Sequence, residues 1–251
     1  VGFKRNWDID NISAPLITAA GDIVTLPMLF LAAIIVLSSP GILIEVFAAL
    51  FVIITVVLTY RTLVNGSGES RRIFVHSSPV LVICILLDIA AGVTLDRQLE
   101  SLVALPALLV LIPPFLEDAN ALGGILTSRF SSLLHMGILE PKKLPNKVAW
   151  ENFAIIYLFS LWVFTLVGIS TYAVALLLKL GTPPLWETVL LSLTAGLVTV
   201  TVLNFLSYYV SVFTYRMRLD PDDHSIPLTS SAIDSVGAIA LMGFIVVFGL
   251  A

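Results

Sequence analysis

Charge is scarce in this chain. Of its 251 residues 12% are Asp, Glu, Lys or Arg, while 58% are hydrophobic and the mean hydropathy is +1.03. A soluble domain carries roughly 25% charged residues, so a soluble fold is excluded. Cysteine is nearly absent. Cys84 stands alone inside an apolar run, which rules out an intrachain disulfide and any cysteine-based zinc site. Histidine is equally sparse, and His76, His135 and His224 lie near the ends of apolar runs without ligand spacing. No cleavable signal peptide is visible, because the first 11 residues are polar and the first apolar run is 26 long. The chain opens on Val1, as expected of a fragment or a processed form. A net charge of −4 says nothing about partners, and nothing points to nucleic acid.

What remains is apolar runs, several of the roughly 20 residues that cross a bilayer. We expect an all-α polytopic membrane protein with about seven membrane helices. The first spans about 12–37, the second 41–60, the third 78–95. A fourth, 102–139, is long and should break or kink at Pro113-Pro114. The fifth and sixth, 153–178 and 189–215, are uncharged, and the seventh follows Pro227. With seven crossings, one side holds Lys4, Arg5, Arg61, Arg71, Arg72, Lys142, Lys143, Lys147, Arg216 and Arg218. The other holds only Arg97 and Lys179, and Arg129 lies within a helix. That bias places the N-terminus in the cytoplasm and the C-terminus outside the cell membrane.

Inside these runs the acids stand out. Asp234 is the only charge from Ile226 to Ala251, and Asp22 the only one in the first helix. A carboxylate near the middle of a membrane helix costs roughly 2.5–3.5 kcal/mol on insertion scales, so it usually faces a partner, an ion or a wet path. The two acids also belong to a repeat. Residues 8–24 align without gaps to 220–236, and eight of the seventeen positions are identical, among them Pro15/Pro227 and Asp22/Asp234. Six crossings separate the copies, so they point the same way, related by an axis along the membrane normal. Two carboxylates at matching depth then suit one shared cation on a pseudo-twofold axis.

Hydroxyls flank both acids at helical spacing: Ser230 and Ser231 beside Asp234, Thr18 and Thr25 beside Asp22. Oxygen ligands and a retained water shell are what Mg²⁺ prefers. Hydrogen bonding of each Asp to a neighbouring helix is the plainer reading. Glu117, Asp118 and Asn120, just past Pro113-Pro114, line either a hydrophilic path or an extracellular loop. Structural roles are expected for Asp88 and Glu45, and Arg129 should pair with an acid or reach the headgroups. The acidic turn Asp220, Asp222 and Asp223 reads as a solvated helix entrance.

Two motifs carry a family resemblance. DPDDHSIPLTSSAIDSVGAIAL (Asp220–Leu241) is similar to the last membrane helix of the MgtE family of magnesium transporters. ALGGILTSRFSSLLHMG (Ala121–Gly137) resembles a helix of its duplicated branch, which includes the eukaryotic solute-carrier relatives. The resemblance implies that residues 73–251 form one complete five-helix unit. Residues 1–38 would then be the last helix of a preceding unit, and 39–72 a connector helix and cytoplasmic loop. It further implies a missing upstream first repeat, or a second chain, to complete the pore. Its pore lies between two units with the last-helix Asp as central cation ligand, a role that falls to Asp234 and, through the repeat, to Asp22. The chain departs from the pattern at Asn120-Ala121, where the family's Gly-Asn pair puts its Asn one residue away. It departs again at Glu117 and Asp118, where small residues are usual.

The expected function is therefore passage of a divalent cation, Mg²⁺ first, across the bilayer, with Asp22, Asp234, Glu117, Asp118, Asn120, Thr18, Ser230 and Ser231 as candidate metal ligands. A Na⁺- or H⁺-coupled cation exchanger is the alternative within transport. An intramembrane Mg²⁺-dependent prenyl- or phosphotransfer enzyme is the contrasting class. It would need a second acidic cluster and basic residues for phosphate, which the fifth and sixth helices lack, so no enzyme is expected.

Overall fold

The computed structural model describes residues 9–219 and 221–250, without the side chains of 9–15, 17–19, 22, 26 and 221–223. Among them all regular structure is helical. In chain order the helices are α1 (Ile9–Ser38), α2 (Gly41–Asn65), α3 (Gly68–Asp96), α4 (Leu99–Ala104), α5 (Pro106–His135), α6 (Lys147–Leu177), α7 (Leu185–Met217) and α8 (Pro221–Val247). Helix is the only open-ended structure that closes its own backbone hydrogen bonds in lipid. Six of the helices are long and apolar enough to cross a membrane: α2, α3, α5, α6, α7 and α8. A further apolar stretch in α1, Ile23–Ser38, is shorter.

Two compact units divide the chain, one of them Ile17–Pro79 and the other containing the residues from Val80 on. In the smaller unit α2 has no buried residue. Its hydroxyls close back on their own helix, as where Thr55 Oγ1 donates to the Phe51 carbonyl at 2.8 Å.

In the larger unit α7 packs against α5, α6 and α8, and α5 packs against α6 and α8. Close approach depends on glycine. A Cβ on Gly196 of α7 would stand 2.2 Å from the Phe164 ring of α6, and one on Gly168 would stand 2.7 Å from the Val189 Cα. Between α5 and α8, a Cβ on Gly123 would meet Ile233 Cδ1 at 2.2 Å, and one on Gly237 would meet Leu116 Cδ2 at 2.9 Å. Lipid offers no hydrophobic drive between helices, so small residues that bring backbones together are the means of association. Around them Phe130, Phe153 and Tyr208 pack edge to face, with ring centroids 5.8–6.5 Å apart.

Three sequence expectations are corrected. The fourth run is broken at Leu105–Pro106, and Pro113-Pro114, expected to break or kink it, do not break it but lie inside α5. Leu105 takes φ −122°, ψ 82°, leaving the α region as a residue before proline does, and Pro106 opens the new helix, where its missing N–H costs nothing. Keeping α5 helical through Pro113-Pro114 forfeits two backbone donors. A break would free about four groups at each new helix end within the bilayer. Glu117 and Asp118 are thus helical residues, so the loop reading is excluded. Lastly, α8 begins at Pro221, ahead of Pro227, so that proline sits inside the helix instead of preceding it.

The glycine contacts carry a prediction. Gly168→Ala and Gly196→Ala should each lower stability by about 1–3 kcal/mol, because backbone or a buried ring must move. Gly123→Ala should cost less, since it meets the end of a flexible side chain. Gly92→Ala, with nothing within 4 Å, should be neutral or slightly stabilising, as alanine is the better helix former. Unfolding of the four variants in one detergent checks the order.

Candidate functional site

Asp234 lies thirteen residues past the start of α8, about 20 Å along the helix axis. It is partly buried, and its immediate neighbours in sequence, Ile233 and Ser235, are buried. Ile233 is drawn against Gly123 of α5, its Cδ1 occupying the space a Cβ there would take. Ser235 donates from Oγ to the Leu87 carbonyl of α3 at 2.5 Å. With its flanks fixed on two helices, the carboxylate is held toward α5.

There it meets Asn120, whose Nδ2 donates to Asp234 Oδ1 at 2.8 Å across 114 residues of sequence. Asn120 Oδ1 is buried and has no hydrogen-bond partner within the protein. One amide thus neutralises part of the carboxylate's demand and presents an acceptor of its own. Glu117 and Asp118, both partly buried, precede Asn120 on α5 within one turn. On the α8 side Ser231 is buried and Ser230 partly so. Thr18 and Asp22 belong to α1, but their side chains lie outside those described. Among the described residues no three His, Cys, Asp or Glu converge to hold a metal ion.

Uncharged polar groups continue from this level toward the α7–α8 turn, and sequence reading missed them. On α7, Asn204, Ser207 and Ser211 recur at i, i+3 and i+7, one helical face, and all are buried. Both polar side-chain atoms of Asn204, the Ser207 and Thr229 hydroxyls and that of Thr127 have no protein hydrogen-bond partner. Ser211 Oγ reaches the Thr127 carbonyl at 3.5 Å, and Thr214 Oγ1 shares a 2.7 Å hydrogen bond with Ser225 Oγ. Buried polar atoms without protein partners cost about 1–3 kcal/mol each unless water or an ion meets them. The available signal was their helical spacing within a run that has no charge.

Arg129 is found elsewhere. Its Nε donates to Asn152 Oδ1 at 3.0 Å, beside a cavity of ≈ 90 Å³.

Comparison with known proteins decides the family. The MgtE profile, described as a divalent cation transporter, matches residues 112–244, a little over half of the chain, including Asn120 and Asp234. The chain belongs to the MgtE family. No curated protein and no solved structure matches it significantly. MgtE proteins are transporters or channels, so this multi-pass membrane protein is not an enzyme. Both partners of the Asn120–Asp234 hydrogen bond, one on α5 and one on α8, fall inside the matched region.

The Asn120–Asp234 contact can be measured. A double-mutant cycle with Asn120→Ala and Asp234→Ala, read by unfolding in detergent, should give a coupling of about 1–2 kcal/mol. A coupling near zero would mean that the amide does not hold the carboxylate.

Proposed function

We propose that this chain conducts Mg²⁺ across the cell membrane, with Asp234 as the principal ligand and Asp22 its counterpart from the repeated segment. The observation that carries the reading is a carboxylate halfway along α8, fixed from both sides and satisfied in part by one neutral amide. An uncharged amide donor leaves the carboxylate's negative charge in place, where a cation can meet it. The remaining oxygens suit an ion that keeps several waters: Asn120 Oδ1, the hydroxyls of Ser230 and Ser231, Thr18 from the repeat, and the carboxylates of Glu117 and Asp118. A second unit, supplied by an upstream repeat or another chain, would complete the path around a pseudo-twofold axis.

The orientation belongs to the same proposal. Lys142, Lys143 and Arg216 line one cavity, so these cations share one end of the larger unit. Lys179 closes α6 at the opposite end, where Ala107 N donates to the Gly181 carbonyl at 3.2 Å. The richly basic end is assigned to the cytoplasm. In a Cys84→Ser background, Lys143→Cys should react with an impermeant maleimide only from inside, and Lys179→Cys only from outside.

For transport itself, Mg²⁺ uptake into proteoliposomes is the deciding assay. Asp234→Asn and Asp22→Asn should each lower flux roughly tenfold to a hundredfold with the fold intact. Wild-type flux should persist without a Na⁺ or pH gradient. Unchanged flux in either variant removes that carboxylate from the mechanism, and flux that stops without a gradient replaces conduction by coupled exchange.

A further inference from the structure

At the basic end of the larger unit the α5–α6 loop is tied down on α7. The buried Tyr208 hydroxyl lies 3.0 Å from the Lys142 carbonyl and 3.1 Å from that of Leu144, sharing its proton between them. Arg216 Nη2 donates to the Pro141 carbonyl. These bonds present Lys142 and Lys143 on a fixed segment rather than a loose one. A cavity of ≈ 340 Å³ opens beside them, lined by Lys142, Lys143, Tyr209, Val212, Phe213 and Arg216.

The lining has two parts. Tyr209, Phe213 and Arg216 follow one another at i, i+4 and i+7, so an aromatic stripe on α7 leads up to a guanidinium. Tyr209 is 46% and Phe213 58% exposed on a membrane-spanning helix, over a floor made by buried Val212. Three cations head this stripe against one acid, Glu140, which pairs with Lys142. Its hydrogen bond holds the Lys142 ammonium above its usual pKa range. Lys143 has no ion pair among the described residues.

We propose that this cavity is a binding site for an anionic phospholipid, its phosphate between Lys142, Lys143 and Arg216 and an acyl chain along Tyr209 and Phe213. Charge complementarity requires an anion, and the apolar stripe continuous with the membrane-spanning face of α7 requires that the anion carry a chain. Basic pockets at the ends of membrane helices hold acidic headgroups on these grounds. The site lies apart from Asp234, so it stands whether or not that carboxylate conducts ions.

Native mass spectrometry of the detergent-solubilised protein tests this. The probes are dioleoylphosphatidylglycerol, dioleoylphosphatidylcholine and inorganic phosphate. The phosphatidylglycerol should bind about fivefold or more tightly than the phosphatidylcholine, and phosphate should not displace it. Lys143→Gln should weaken phosphatidylglycerol about fivefold, and Lys142→Gln with Lys143→Gln roughly 25-fold, with a smaller loss for phosphatidylcholine, whose choline offsets the charge of its phosphate. Phe213→Ala should weaken both lipids alike. Both lysines are exposed, so these variants should fold, and circular dichroism checks that they do. Equal binding of the two lipids, or full phosphatidylglycerol affinity in a folded double-lysine variant, overturns the site. Displacement by inorganic phosphate overturns the lipid assignment.

Discussion

A carboxylate halfway along a membrane helix is the constraint on which the larger unit depends. Its insertion costs a few kcal/mol, and the surrounding protein must recover that without cancelling the charge. Asn120 does part of this by one hydrogen bond. A lysine or arginine there would stabilise the acid further and shut out a cation. An amide leaves the negative charge in place and adds a carbonyl oxygen.

Holding that geometry requires α5 and α8 to lie close, and glycine makes it possible. The Ile233 side chain fills the space a Gly123 Cβ would take, one residue before the acid, and Gly237 seats Leu116 just beyond it. The two contacts bracket Asp234 along α8. Sliding α8 by a residue would lose both contacts and turn the carboxylate by ~100° away from Asn120. Packing and chemistry thus share one register.

The polar interior and the basic end show two other ways of placing polar groups in an apolar bundle. In the interior, hydroxyls such as Thr199 and Thr214 bond back to the carbonyl four residues earlier, at 2.9 and 3.0 Å, and cost the helix little. Asn204 does not bond back in this way and stays buried with both polar atoms unmet by protein. At the basic end the polar groups instead bind loop carbonyls, as Tyr208 and Arg216 do. Those bonds make the turn between α5 and α6 part of the bundle.

Much of this was readable beforehand, and the reasons differ by feature. Hydropathy alone determined that the chain is helical and membrane-spanning, because unbroken apolar runs of about 20 residues suit a helix and not the alternating strands of a closed barrel. The isolation of Asp234 in an uncharged run marked it, on cost alone, as a group that needs a partner, and the motif around it carried the family. The break at Leu105–Pro106 was missed in favour of Pro113-Pro114, since proline content shows where a helix is weakened, not where breaking it frees the fewest backbone groups. Neither the Asn120–Asp234 contact nor the burial of Asn204, Thr127 and Thr229 could be read from order along the chain. Such pairings are decided by which helix faces meet, and only the tertiary structure, through its glycine contacts, decides that.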